Sequence, residues 1–315
     1  MTRTLAFLAR HAMTAMVAGV FLGLLVPALA TALRPMLAPA VWLLLVLSLL
    51  RVNIDEGAAH LGRPWRLAVL LAFFLVAMPA AMFAITSVSA LPPGIAGAMV
   101  LTAGSSVLIS TPTIGLLMGL DGAMIVLIML GSTLLVPLTM PTVGLFLLGL
   151  QMEMSSLELM GRLAALVGSG VIVAALGRKF LGPGRLQGLS GQLDGAAVIV
   201  LIIFALAIMD GMTARLIAEP AFVLFVAVIS FAVYTGLLIV TVVILAIITP
   251  RWGRRLNLSV GLAAGCRNLG IILAVLPSDT DPDMLLYFAA GQFPIYIMPA
   301  VLRPVMLRLV AKKTI

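Results

Sequence analysis

The chain has 315 residues, of which 63% are hydrophobic and only 10% are charged. A soluble domain is about 45–50% apolar and about 25% charged, so this chain has too little charge to cover a water-exposed surface. The composition excludes a soluble enzyme and a nucleic-acid-binding module, and it predicts a polytopic membrane protein. The single cysteine, Cys266, cannot form a disulfide within the chain, and no cysteine or histidine spacing indicates a zinc site.

Ten apolar stretches follow one another along the chain, each long enough for a helix to cross a bilayer core about 30 Å thick. They exceed the roughly ten alternating residues of an outer-membrane barrel strand, so the sequence predicts an all-α bundle. Asp121 lies directly before the fifth stretch and is expected to cap its helix. The predicted spans are 12–33, 36–54, 65–88, 94–118, 122–149, 157–177, 195–212, 219–249, 256–277 and 284–307.

The basic residues fall mostly on one side of the predicted bundle. Fifteen of the 19 lysines and arginines lie in alternate connections, three lie in the remaining connections, and Arg267 lies mid-span. Because cytoplasmic loops are rich in Lys and Arg, both termini are expected in the cytoplasm, in a multi-pass protein of the cell (inner) membrane. An alternative for the first span is a signal peptide that is cleaved after Ala28-Leu29-Ala30.

The ten spans divide into two groups of five, 1–150 and 151–315. An odd number of spans turns the second group upside down, as in inverted-repeat transporters. The fourth span contains the cluster 104–115 and the ninth contains 261–270, both rich in helix-breaking and polar residues at mid-membrane depth. Interrupted helices at matching positions of two repeats indicate a transport site. The alternative is that these small residues only allow close packing between helices.

Three motifs give the chain a resemblance to the bile acid:sodium symporter superfamily over essentially its whole length. Ser132–Pro141 resembles the family's fifth-helix motif, Leu117–Asp121 its Leu-Ala-x-Gly-Asp motif, and Gly265–Asn268 its Gly-Met-Gln-Asn motif. The resemblance implies a panel domain of helices 1, 2, 6 and 7 and a core domain of helices 3–5 and 8–10. It also implies that helices 4 and 9 unwind and cross within the core.

The positions that bind sodium in this family carry other side chains here. Sodium, like other hard cations, needs several oxygen ligands, and these positions supply almost none. Sodium coupling is therefore not expected, and neither is a cofactor or another metal. The resemblance places the sodium positions on Phe74, Thr111, Pro112, Ile125, Met129, Ala263 and Arg267.

Arg267 stands near the middle of the ninth predicted span, where an arginine costs roughly 2.5–3.5 kcal/mol on insertion scales. No Asp or Glu of the sequence is predicted at comparable depth. One interpretation is structural: Arg267 replaces sodium and donates its N–H groups to carbonyls of the broken fourth and ninth helices, which locks their crossing. In the other, the guanidinium also holds a carboxylate, sulfate or phosphate of the substrate in a bidentate fork.

Other polar and helix-breaking residues accompany these motifs. Asn268 keeps the family's amide and is the best single candidate for substrate contact, whereas Gln292 is either a brace for the crossing or a substrate ligand. Each candidate hydroxyl has the alternative of bonding to its own helix. The candidates for substrate binding are Asn268, Arg267, Ser110, Thr111, Thr113 and Gln292. The residues assigned to the crossing are Pro112, Gly265, Gly270 and again Arg267.

These features predict a secondary transporter that moves a small amphipathic organic anion by alternating access, without sodium coupling. Two alternatives stay open: a membrane sensor or binding protein that kept the transporter fold, and a sodium-coupled symporter with relocated ion sites. An enzyme is not expected, because no nucleophile–base pair or metal cluster occurs in the sequence. The expected partners are the substrate and the lipid bilayer, and a monomer is compatible with the fold.

Overall fold

The computed structural model describes residues 12–51, 64–148, 155–277 and 280–311. The chain termini and the last residues predicted for the second and fifth spans lie outside these ranges. The described residues form helices with short connections and one isolated β-bridge. The helices are α1 (Ala12–Leu25), α2 (Pro27–Leu33), α3 (Leu37–Arg51), α4 (Pro64–Ala72), α5 (Met78–Ser87), α6 (Pro93–Gly104), α7 (Thr111–Leu117), α8 (Gly122–Leu148), α9 (Ser156–Gly188), α10 (Ser190–Ala207), α11 (Met212–Ala218), α12 (Pro220–Ile248), α13 (Arg254–Gly265), α14 (Leu269–Leu273), α15 (Pro282–Ala290) and α16 (Gln292–Ala311).

Seven helical stretches within the described ranges are long and apolar enough to cross a membrane, which makes this a multi-pass membrane protein. The fourth and ninth predicted spans are absent from this set because each is divided into two short helices. The stretch Pro27–Arg51 is continuous in the structure, and it covers the end of the first predicted span together with most of the second predicted span. The seven stretches are Pro27–Arg51, Pro64–Ser87, Gly122–Val143, Ser156–Gly188, Ser190–Ala207, Pro220–Ile248 and Pro282–Ala311.

Several helix starts follow directly from the local sequence. Proline is the first residue of α2, α4, α6, α12 and α15, a position where its missing N–H removes no intrahelical hydrogen bond. The Asp121 carboxylate accepts a hydrogen bond from the Met124 N–H at 3.1 Å, which confirms the predicted cap of α8. The Asp281 carboxylate caps α15 in the same way, through the Asp283 N–H at 2.7 Å.

The described residues group into two compact units, and the first unit draws on 1–52, 161–225 and 270–278. In this unit α10 packs against α1, α2 and α3. Asp210, just after α10, accepts hydrogen bonds from the Thr31 hydroxyl at 2.6 Å and from the Arg34 guanidinium at 2.9 Å. The connection after α10 is therefore tied to the α2 segment by polar contacts.

The second unit draws on 53–160, 226–269 and 279–315. In it α6 packs against α5, α8 and α15, and α13 packs against α7, α8 and α16. A π-helical turn, Phe73–Ala77, joins α4 to α5 and packs against α6 and α8. Such a turn is rare and is frequent at functional sites. Both helix interruptions lie in this unit.

Candidate functional site

The chain leaves the helical conformation at both of the predicted glycine-containing clusters. Helix α6 ends at Gly104, Ser105 adopts an extended conformation, and α7 begins at Thr111. Helix α13 ends at Gly265, Cys266 is extended, and α14 begins at Leu269. The interruptions expected in the fourth and ninth spans are therefore present.

The two interruptions are joined to each other by their backbones. Val107 and Arg267 form an antiparallel β-bridge. The Leu108 N–H donates to the Cys266 carbonyl at 2.9 Å, and the Asn268 N–H donates to the Ser106 carbonyl at 2.8 Å. A buried backbone group without a partner is costly in an apolar interior, so each interruption satisfies donors and acceptors that the other exposes. This pair of segments is named the crossing below.

Arg267 is fully buried at the crossing, with 0% of its surface exposed. Its Nε donates to the Ala264 carbonyl at 2.9 Å, and its Nη1 donates to the Ser105 carbonyl at 2.8 Å. Its Nη2 contacts the sulfur of Met78, and the guanidinium carbon lies 4.6 Å from the centroid of the Phe74 ring. These carbonyl bonds are common to both interpretations of Arg267, and one carbonyl comes from the end of each interrupted helix.

Arg267 has no exposed surface for a substrate contact, and three of its five N–H groups already point at protein groups. The described part of the chain places no carboxylate at ion-pair distance from it. Its charge is compensated instead by carbonyl dipoles and by the negative face of an aromatic ring.

The positions that the resemblance assigns to sodium are buried and mostly apolar. Ala263, Ile125 and Phe74 are each completely buried, and Met129 is almost so. Their side chains bring no oxygen atom to the crossing. Phe74 instead supplies the ring that faces the arginine.

The candidate substrate ligands divide by exposure. Ser110 and Thr113 are exposed at the start of α7, and Asn268 keeps 8% of its surface exposed at the crossing. Thr111 is fully buried beside the Cys266 side chain. Ser110 and Thr113 are therefore the exposed candidates of this set, whereas Asn268 is buried apart from this small fraction and Thr111 packs inside.

The side chain of Gln292 forms hydrogen bonds with residues close to it in the chain. Its amide donates to the Phe288 carbonyl at 3.1 Å, and its oxygen accepts from the Tyr296 hydroxyl at 3.3 Å. These bonds stay within α15 and α16. They tie together the joint at Gly291, so the structure gives Gln292 a local bracing role.

The residues assigned to the crossing have different surroundings. Pro112 is buried as the second residue of α7, where proline suits a helix start. A Cβ atom at Gly265 would lie 2.8 Å from the Leu238 Cβ and 3.0 Å from the Tyr234 carbonyl oxygen. Glycine is thus required there by the close approach of α12. Gly270 is buried as the second residue of α14.

Two contributors to the site were not predicted from the sequence. The Ser132 hydroxyl accepts from the Val107 N–H at 3.1 Å and donates to the Met129 carbonyl at 3.1 Å, which attaches the crossing to α8. Met78 contacts the guanidinium beside Phe74, and Phe74 lies four residues before Met78 in the chain. The spacing of four is the only signal for this pair, and it is common on any helix.

No model of a known protein family matches the chain, and no curated protein matches its sequence. The resemblance to the bile acid:sodium symporter superfamily therefore stays a prediction from the quoted motifs.

Proposed function

We propose that this protein is a secondary transporter similar to the bile acid:sodium symporters, which moves a small amphipathic organic anion by alternating access without sodium coupling. The observation that carries the proposal is the position of Arg267 between the ends of two interrupted helices. Its guanidinium binds the Ser105 carbonyl at the end of α6 and the Ala264 carbonyl at the end of α13.

The charge of Arg267 balances the dipoles of these helix ends. A helix C-terminus carries roughly half a negative elementary charge, so two such ends together present about one unit. Transporters with discontinuous helices use unwound carbonyls and half-helix C-terminal ends to coordinate sodium. A guanidinium in this position meets the same electrostatic demand with a cation that cannot dissociate.

The wider architecture is part of the proposal. It comprises ten spans in two inverted repeats, 1–150 and 151–315, in the inner membrane of the cell. An even number of spans puts both termini on the same side, and the distribution of Lys and Arg makes this the cytoplasmic side. The grouping of described residues supports the division into a panel and a core, because the first unit draws mainly on the spans assigned to the panel and the second on those assigned to the core. No enzymatic activity and no cofactor are part of the proposal.

The substrate is proposed to contact Asn268, Ser110 and Thr113, which are polar and lie at or next to the crossing; Ser110 and Thr113 are exposed, and Asn268 keeps 8% of its surface exposed. An amide and two hydroxyls can donate hydrogen bonds to a carboxylate or sulfonate.

Uptake into proteoliposomes tests the proposal. A panel of labelled carboxylates and sulfonates with apolar tails is offered with sodium or potassium as the only external cation. We expect saturable uptake and counterflow of at least one compound, with the same initial rate in both salts. A steep dependence on sodium would support relocated ion sites instead. Binding without flux would support the sensor, and flux without saturation would indicate a channel.

A pair of asparagine variants tests the substrate site. Asn268→Ala removes the amide that is proposed to donate to the anion, and such a bond contributes about 1.5–3 kcal/mol, or roughly ten- to a hundred-fold in affinity. Asn257→Ala is the matched control, since Asn257 is a similarly buried asparagine near the start of α13, away from the interruption. We expect weaker uptake for the first variant alone, with unchanged thermal stability. Equal uptake by both variants would remove Asn268 from the site.

A further inference from the structure

A group of basic and aromatic residues lies in the second unit, away from the crossing in sequence. The Trp65 and Trp252 rings meet edge to face, with centroids 6.2 Å apart. The Arg66 guanidinium carbon lies 5.7 Å from the Trp65 centroid and 5.3 Å from the Trp252 centroid. Arg251 and Arg254 are exposed within two residues of Trp252. These five residues are named the basic–aromatic cluster.

The positive charge of the cluster has no matching carboxylate in the part of the chain that the structure describes. Among the residues that the structure describes, no Asp or Glu lies within ion-pair distance of Arg66, and the buried Nε of Arg66 has no hydrogen-bond partner. Arg254 is the first residue of α13, where the helix dipole favours negative groups rather than positive ones. Neither a described carboxylate nor the dipole of α13 therefore compensates these cations.

The cluster lies where two spans end. Trp65 is the second residue of the stretch Pro64–Ser87, and Trp252 follows the end of Pro220–Ile248 by four residues. Tryptophan is enriched at the membrane–water interface, at the level of the lipid headgroups. With 56% of its surface exposed, Trp65 is available to lipid. A phospholipid headgroup is the anionic partner that every membrane offers at this depth.

We propose that the basic–aromatic cluster is a binding site for the phosphodiester of an anionic phospholipid. The two rings hold the Arg66 guanidinium by cation–π contacts, and its terminal N–H groups are the proposed donors to the phosphate oxygens. Arg251 and Arg254 add positive charge beside it. Basic pockets at the ends of membrane helices bind anionic headgroups by the same electrostatics. This site is independent of the transport proposal.

Tryptophan fluorescence gives a direct measurement, because the chain has only three tryptophans. The third, Trp42, belongs to the first unit and donates to the Ser169 hydroxyl. In a Trp42→Phe background, emission comes from the cluster alone. The full chain is reconstituted in phosphatidylcholine with an equal mole fraction of either brominated phosphatidylglycerol or brominated phosphatidylcholine, and quenching by the two lipids is compared.

We expect stronger quenching by the brominated phosphatidylglycerol, because each arginine near an anionic headgroup contributes roughly five-fold to lipid binding. Arg66→Gln should lower this preference about five-fold, Arg66→Lys, which keeps the charge but loses the planar fork, should retain only part of it, and the matched control Arg303→Gln, an exposed arginine of α16, should leave it unchanged. Far-UV circular dichroism verifies that each variant is folded.

Three results would overturn the proposal. The first is equal quenching by both lipids in the parent protein. The second is a preference that survives Arg66→Gln while the protein remains folded. The third is loss of the preference on addition of inorganic phosphate but not of chloride at equal ionic strength, which would assign the cluster to a soluble anion.

Discussion

Replacing Arg267 by alanine should destabilise the protein, because the crossing then loses the cation between its helix ends. The substitution leaves the Ser105 and Ala264 carbonyls without the donors that they have at 2.8 and 2.9 Å. An unpaired buried acceptor costs about 1–3 kcal/mol, so the pair costs about 2–6 kcal/mol. The variant also loses the cation–π contact with Phe74, which is about 2 kcal/mol. It recovers several kcal/mol because a charge is no longer buried, and this partly offsets the two losses.

Unfolding by sodium dodecyl sulfate in mixed micelles, followed by far-UV circular dichroism, measures this loss. Arg267→Lys separates charge from geometry. It keeps the cation between the two helix ends but loses the planar fork that reaches both carbonyls, so its free energy of unfolding should fall between those of the parent and Arg267→Ala. Arg303→Ala is the control, because an exposed side chain changes stability by at most about 0.5 kcal/mol.

Two results would refute this reasoning. If Arg267→Ala lost no more stability than Arg303→Ala, the bonds at the crossing would contribute nothing to the folded state. If Arg267→Lys were as unstable as Arg267→Ala, the positive charge would not be the stabilising property. The proposed replacement of sodium would then lose its physical basis.

Two further predictions concern the packing of the crossing. Gly265→Ala should cost about 1–3 kcal/mol in unfolding free energy, because its Cβ would overlap the Leu238 Cβ and a backbone oxygen of α12. Gly236→Ala, within α12 and with open space around it, should instead stabilise by about 0.5–1 kcal/mol, and the same detergent titration compares the two. Ser132→Ala should cost about 1–3 kcal/mol by leaving the Val107 N–H unpaired, with faster hydrogen exchange at that amide as its measurement.

The membrane class and the helix interruptions could be predicted from the sequence because their causes are local. Apolar length determines which stretches can span a bilayer, and clustered glycines, joined by Pro112 in the first cluster, weaken a helix. The Asp121 cap was predictable for the same reason, since it depends on residues three apart. The structural interpretation of Arg267 needed only the rule that a cation in an apolar interior requires acceptors.

The surroundings of Arg267 could not be predicted because they depend on packing between distant segments. Phe74 and Met78 are ordinary apolar residues in sequence, and the π-helical turn that contains or adjoins them has no sequence signature. The Ser132 bond to Val107 likewise joins α8 to a non-helical segment. The sequence also left open whether Arg267 is accessible, and only the three-dimensional arrangement places it at full burial.

The bond between Arg267 and the Ser105 carbonyl has a consequence for biosynthesis, because the two residues are 162 positions apart. A ribosome adds about 5–20 residues per second, so roughly 10–30 s separate their synthesis. Throughout that interval the Ser106 carbonyl and the Leu108 N–H lack the backbone partners that they have in the folded protein, because those residues have not yet been translated. Lipid offers them none, so the nascent segment must meet water or the insertion machinery until its distant counterpart emerges.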